Sequence, residues 1–213
     1  MLQARIDNIG RIVRSLDGVE YPEPLVAPAV NEDLAAVFER QLNALRAPGD
    51  EEPAVIHVAD AEEAARVVAE LCRGVPESEI IRQGSGGPAP RRDCAVGITP
   101  ASVLIASTGS VILELPRAEE GQASLLVDRH IVVAHRGQLV PDVPAFYGLM
   151  SERCQRGERL TNQVCITGCS RTADIEKLLV VPAHGPRQVR VVLSRVPVEW
   201  GAISCSSSLQ RLT

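Results

Sequence analysis

Aromatic side chains are almost missing from this chain: 213 residues hold one Trp, two Tyr and two Phe. Its core must therefore be aliphatic, and few rings remain on which single-stranded bases could stack. Positive charge is not in excess either. Lys and Arg number 22 against 27 Asp and Glu, for a net charge of −5, which gives no electrostatic footprint for DNA or RNA. No apolar run approaches the about 18 residues of a membrane span, and the opening Met1-Leu-Gln-Ala-Arg-Ile-Asp-Asn lacks the apolar stretch of a secretory signal. These absences predict a cytoplasmic protein with no nucleic-acid and no membrane partner.

Site motifs are missing as well. The six cysteines (72, 94, 154, 165, 169 and 205) form no C-x-x-C pair and no iron–sulfur ligand run. In a cytosolic setting they are reduced thiols that pack as small hydrophobes, with Cys169 set apart if a helix start lies beside it. There is no Walker loop, no Ser-His-Asp order and no zinc pattern. Gly84-Ser-Gly-Gly-Pro88 does not match a dinucleotide fingerprint, and Pro88 and Pro90 prevent a helix from opening after it. His130 and His135, five apart on one strand, face opposite sides and share no metal. The expected metal content is none, and the chain carries no cofactor of its own.

What is present is the alternation of an α/β layer structure. Residues 1–20 carry apolar positions at helical spacing, residues 21–28 read as an extended Pro-rich arm, and Asn31-Glu-Asp33 caps a second helix through Leu45. This gives an N-terminal helical appendage over 1–50. An α/β domain follows over 51–195, with a tail over 196–213. Within the domain, strands are predicted over 54–58, 79–81, 94–98, 103–106, 111–115, 130–134, 164–167 and 188–193. Helices are predicted over 61–72, 142–155 and 172–179.

The most informative stretch is Ile166-Thr-Gly-Cys-Ser-Arg-Thr-Ala-Asp-Ile-Glu176, followed by His184-Gly-Pro186. A strand, then Gly168, then a hydroxyl-rich helix start at Ser170, Arg171 and Thr172 make an anion site from free backbone N–H groups and the helix dipole. Arg171 adds a planar fork for a carboxylate or phosphate. The bland alternative is a well-capped helix whose dipole Asp174 and Glu176 favour. His184 reads either as a structural hydrogen-bonding group or as a proton shuttle at a strand's end. Thr108-Gly109-Ser110 reads either as a plain hairpin turn or as a hydroxyl contact facing Arg171.

These motifs, with Leu125-Leu126 and His130-Ile131, resemble the LUD domain family, specifically its lactate-utilization protein C group, over roughly residues 50–195. The resemblance implies a three-layer Rossmann-like sandwich with a largely parallel sheet, similar to NagB/RpiA/CoA-transferase-like folds. It also implies a part in a cytoplasmic L-lactate oxidation system, with iron–sulfur clusters held by partner proteins. The implied ligand is small and anionic, bound at the strand-to-helix turn 168–176. Arg171 and residues 170–172 would hold it, and Thr108, Ser110 and His184 would complete the pocket, with Asp174 orienting Arg171 or His184. This chain departs from the family in having Ser107 where a glutamate is usual, Cys169 where a proline is usual, and Leu125-Leu-Val-Asp-Arg-His130 for Leu-Leu-Pro-Pro-x-His. Whether the chain is an enzyme is left open by the lost glutamate. Two other readings stand beside the first: a stand-alone acyl, phospho-sugar or folate-type enzyme, with Glu114 or Glu176 as its carboxylate, and a non-catalytic assembly subunit. The oligomeric state is not fixed by the sequence.

Overall fold

The computed structural model describes residues 33–84, 94–159, 162–170, 172–173, 179–180 and 185–204. The expected helix over 1–20, the arm over 21–28, most of the loop 84–90 and the end of the tail lie outside the described residues.

Local chemistry starts each long helix. Asp33 accepts a hydrogen bond from the backbone N–H of Ala35 at the head of α1 (Leu34–Ala44). Asp60 accepts from Glu63 N–H to open α2 (Ala61–Leu71), and the Glu63 carboxylate reaches back to Ala59 N–H. Asp142 accepts from Ala145 N–H to open α4 (Val143–Gln155). Each cap satisfies donors that the first turn leaves without partners.

Five strands form a wholly parallel sheet: β1 (Val55–Val58), β2 (Ile80–Arg82), β3 (Cys94–Pro100), β6 (Val127–His135) and β11 (Gln188–Ser194), in the order β1-β11-β6-β3-β2. A second, mixed sheet has the order β7-β4-β5-β8, from β4 (Val103–Ile105), β5 (Ser110–Leu115), β7 (Leu139–Val140) and β8 (Asn162–Thr167). Two short helices, α3 (Gln122–Leu125) and α5 (Trp200–Ser204), and a pair of two-residue strands, β9 (Thr172–Ala173) and β10 (Leu179–Val180), stand beside these sheets in the chain order.

Alternation along the parallel strands sorts the core into layers. Val132, Ala134, Val191 and Leu193 face the mixed sheet and α1, where Phe38, Leu42, Leu104, Val111 and Leu113 are buried. Ile131, Val133 and Val192 face the other way, onto Ala64 and Val68 of α2 and Ile203 of α5. The outer face of the mixed sheet buries Ile105 and Ile112 against Phe146 and Met150 of α4. The expected α/β fold with a mostly parallel central sheet is what the chain adopts. Helix α1, grouped with the 1–50 appendage by sequence, packs into this same core through Ala35, Val37, Phe38 and Leu42.

One element is corrected. The spacing of residues 172–179 predicts a helix, but Thr172–Ala173 is a strand, β9, paired antiparallel with β10 (Leu179–Val180) in the register Ala173↔Leu179 and Val180↔Thr172. Pairing between these segments overrides a composition that favours helix.

Candidate functional site

The fold brings the two sequence motifs together at one end of the mixed sheet. Ser110, the first residue of β5, is the register partner of Thr167, the last residue of β8. Their hydroxyls are 2.7 Å apart, and Thr108 Oγ1 lies 2.7 Å from Ser110 Oγ. The result is a chain of three hydroxyls running from the half-buried Thr108 through the buried Ser110 to the exposed Thr167. A hydroxyl donates once and accepts twice. A relay of this kind can therefore offer either a donor or an acceptor at its open end, as a carboxylate or a hydroxyl demands. Thr167 was not among the expected site residues; it is quoted in the motif, but only its pairing with Ser110 shows where its hydroxyl belongs.

The glycines of both motifs have a packing reason. Gly109 (φ +65°) and Gly168 (φ +74°) take left-handed backbone conformations. A Cβ on Gly109 would lie 2.8 Å from the backbone nitrogen of Leu42, and one on Gly168 2.6 Å from Leu45 Cβ. Both turns are thus pressed beneath the C-terminal end of α1. Cys169 joins the same contact: it is buried, and its thiol donates to the Leu45 carbonyl at 3.3 Å. With β9 in place of a helix there is no helix start beside Cys169, and the expectation of a special thiol there is withdrawn.

Ser170 closes the turn. Its N–H donates to the Pro186 carbonyl at 2.8 Å, and a Cβ on Gly185 would fall 2.7 Å from Ser170 Oγ. The two ends of the signature, 168–170 and 185–186, therefore lie side by side. Thr172 opens β9, so the dipole argument for residues 170–172 is also withdrawn. Arg171, Asp174, Glu176 and His184 lie outside the described residues. Among the described residues β10, which precedes His184 in the sequence, pairs with β9.

Other expected groups find structural roles. Glu114 is held by Arg153 and accepts from Ser102 Oγ at 3.0 Å. Hydrogen bonding from Arg153 keeps its carboxyl below the usual range. A carboxylate so paired is a poor base, which weighs against the stand-alone enzyme. His130 is fully buried, with Nε2 2.9 Å from Thr99 Oγ1, and burial lowers its pKa to about 3. It lies in β6 on the side that faces the mixed sheet, with His135 on the opposite side, as their spacing predicts. Among the described residues no group of three or more His, Cys, Asp or Glu is placed to hold a metal ion, and no helix is long and apolar enough to cross a membrane.

Comparison with known proteins follows the same line. The model of the LUD domain family matches residues 92–194, which bears out the resemblance read from the motifs. The chain is 35% identical over 98 residues to the lactate utilization protein C of Deinococcus radiodurans, covering 45% of this chain and 44% of that protein. It is 35% identical over 92 residues to the protein of the same name from Halalkalibacterium halodurans, covering 43% and 40%. Over 93 residues it is 33% identical to the uncharacterized protein YkgG of Escherichia coli, covering 43% and 40%. The matches span less than half the length of these relatives. The fold is similar to the crystal structure of a DUF162 family protein from Deinococcus radiodurans, with a TM-score of 0.50 and 19% identity over 76% of this chain and 96% of that one.

Proposed function

We propose that this protein acts in lactate utilization by binding a small organic anion where the 108–110 and 167–170 turns meet. The match to the LUD domain family over 92–194 and the relatives called lactate utilization protein C support the first part. The hydroxyl chain Thr108–Ser110–Thr167 carries the second. It is a preorganised polar edge with the Gly168–Ser170 turn on the next residues, and Arg171 follows directly in sequence with a guanidinium suited to a carboxylate. The ligand is a 2-hydroxy or 2-oxo acid, or a phosphate-bearing cofactor. The hydroxyl chain accepts and donates at its oxygens, and the arginine supplies the charge.

In this reading the electrons of lactate oxidation pass to iron–sulfur clusters in partner proteins of the cytoplasm, and this chain contributes binding rather than redox chemistry. One of the two carboxylates offered for a catalytic role, Glu114, is already committed to Arg153 and Ser102.

Titration of the protein with L-lactate, pyruvate and coenzyme A by calorimetry tests this. At least one is expected to bind at millimolar or lower concentration, and Ser110→Ala and Arg171→Ala are each expected to weaken binding about tenfold, the loss of one hydrogen bond to a charged group. Absence of binding at millimolar levels, or affinity untouched by both substitutions, would sink the proposal.

A further inference from the structure

Neighbouring strands of the parallel sheet hand on their chains in opposite directions. Those leaving β1 and β11 turn onto one face, as α2 and α5, which pack on Ile131, Val133 and Val192. Those leaving β3 and β6 turn onto the other, into the mixed sheet that packs on Val132 and Ala134. A crevice opens where β6 and β11 part, at their carboxyl ends, and open α/β sheets hold ligands at such switch points. The cavity there measures about 110 Å³. It is lined by Pro100 at the end of β3, Val133 and His135 of β6, Gln138 just after it, and Val198 and Trp200 beyond β11, among others.

No Asp, Glu, Lys or Arg lines this cavity, and most of its polar atoms are already paired. Ala101 N–H donates to the Val133 carbonyl at 2.9 Å, and the Ala101 carbonyl accepts from Gln138 Nε2 at 2.5 Å. Gln138 Oε1 accepts from His135 N–H at 2.8 Å. The Trp200 indole N–H donates to the Gln83 carbonyl at 3.0 Å, so Trp200 has only its apolar ring to offer. His135 Nδ1 accepts from Gly137 N–H at 3.2 Å, and burial holds the His135 pKa below its ordinary value. The neutral ring therefore carries its proton on Nε2. That hydrogen and the second one on Gln138 Nε2 have no partner among the described residues. Both are donors, and neither side chain has an acceptor to spare.

We infer that this crevice binds a neutral, planar heteroaromatic ring carrying an acceptor, such as a pyridine with a carboxamide group, its acceptor at His135 Nε2–H and its ring against Val133, Val198 and Trp200. Charge is selected against. With no cation on the wall, a carboxylate or phosphate would give up its water without compensation. A ligand that only donates finds no acceptor there, and the indole wall favours a flat aromatic partner in offset or edge contact. The size agrees: an apolar cavity of about 150 Å³ holds benzene, and a crevice of about 110 Å³ seats one six-membered ring with its outer edge in the mouth. The crevice is distinct from the hydroxyl chain. Gly168 and Cys169 adjoin Asp50, Ala54 and Val189, at the amino ends of β1 and β11.

Trp200 is the single tryptophan of the chain, so its indole N–H gives one assignable NMR resonance on the cavity wall. Titration with nicotinamide is expected to shift it saturably, with a Kd of about 10 mM or tighter, the floor for a ligand of about nine heavy atoms. Nicotinate, the same ring with a carboxylate, should bind at least about tenfold more weakly, and so should the non-planar cyclohexanecarboxamide. His135→Phe removes the donor and should weaken binding about tenfold, the loss of one hydrogen bond. Val198→Phe should abolish it by filling the cavity. Ser110→Ala should leave the shift intact, which separates this site from the one at the 167–170 turn. The inference is overturned by no saturable shift at about five times that concentration, by equal binding of nicotinate or of the cyclohexane amide, by indifference to both His135→Phe and Val198→Phe, or by loss of the shift in Ser110→Ala.

Discussion

His130 shows how much a single position gives up to be buried. It is 0% exposed, with one ring nitrogen bonded to Thr99 and Nδ1 without a partner among the described residues. Burial lowers its pKa to about 3, whereas an unfolded chain protonates histidine near 6.5. The unfolded state thus binds the extra proton first as pH falls. The folded state suffers no penalty above about pH 6.5 and loses stability steadily between there and pH 3, with a slope approaching about 1.4 kcal/mol per pH unit. Urea unfolding across pH 5 to 7 measures this slope, and His130→Gln should remove its share. An unchanged slope in the variant would show that His130 is not the group responsible. The sequence places His130 on a strand; only the sheet laid over it makes it a buried, neutral ring.

Among the elements, β3 and α3 meet closely at Gly97. Gly97 is paired with His130 in the sheet, and a Cβ there would fall 1.7 Å from the Ala123 carbonyl oxygen and 2.7 Å from its carbon. Backbone atoms cannot yield as a side-chain tip does, so Gly97→Ala must push α3 off the sheet. We expect a loss of about 3 kcal/mol, the upper range for overpacking, read from chemical denaturation; a loss below about 1 kcal/mol would show that α3 shifts freely. Most strands and the three long helices were legible, because apolar periodicity and Asp caps are local signals. The mixed sheet was not, since which strands pair with which depends on partners distant in the chain. The error at 172–179 has the same origin: Thr-Ala-Asp-Ile-Glu-Lys-Leu-Leu carries helical composition, and the pairing of Ala173 with Leu179 decides otherwise.

For the whole molecule, one ion pair joins residues 140 apart. Arg190 in β11, 1% exposed, donates to both carboxylate oxygens of Asp50, at 2.6 and 2.9 Å, and to Glu52 at 3.2 Å. Burial disfavours the Arg190 charge, but the hydrogen bonds from Asp50 and Glu52 outweigh it and its pKa rises. The same bonds hold the Asp50 carboxyl below its ordinary value. A depressed carboxyl stabilises the fold above the unfolded value of about 4, and that contribution fades as pH falls through the lower folded value. Asp50→Asn leaves the buried Arg190 charge with only the more exposed Glu52, so it should cost about 3 kcal/mol near neutral pH and lose that deficit in strong acid, once the Asp50 carboxyl of the parent protein is protonated. Thermal unfolding at the two pH values checks both; a deficit that persists in acid would refute the assignment.

The sequence by itself determined the aliphatic core, the α/β class, the helix starts at Asp33, Asp60 and Asp142, and the LUD signature, because each is written in neighbouring residues. Tertiary structure decided which hydroxyls meet. Ser110 and Thr167 are 57 positions apart and become a 2.7 Å pair only through the β5–β8 register. It also decided that Gly109 and Gly168 serve the packing of α1, and that His135 and Trp200, far apart in the chain, line one crevice. No local pattern encodes such encounters; the direction in which each strand hands on its chain does.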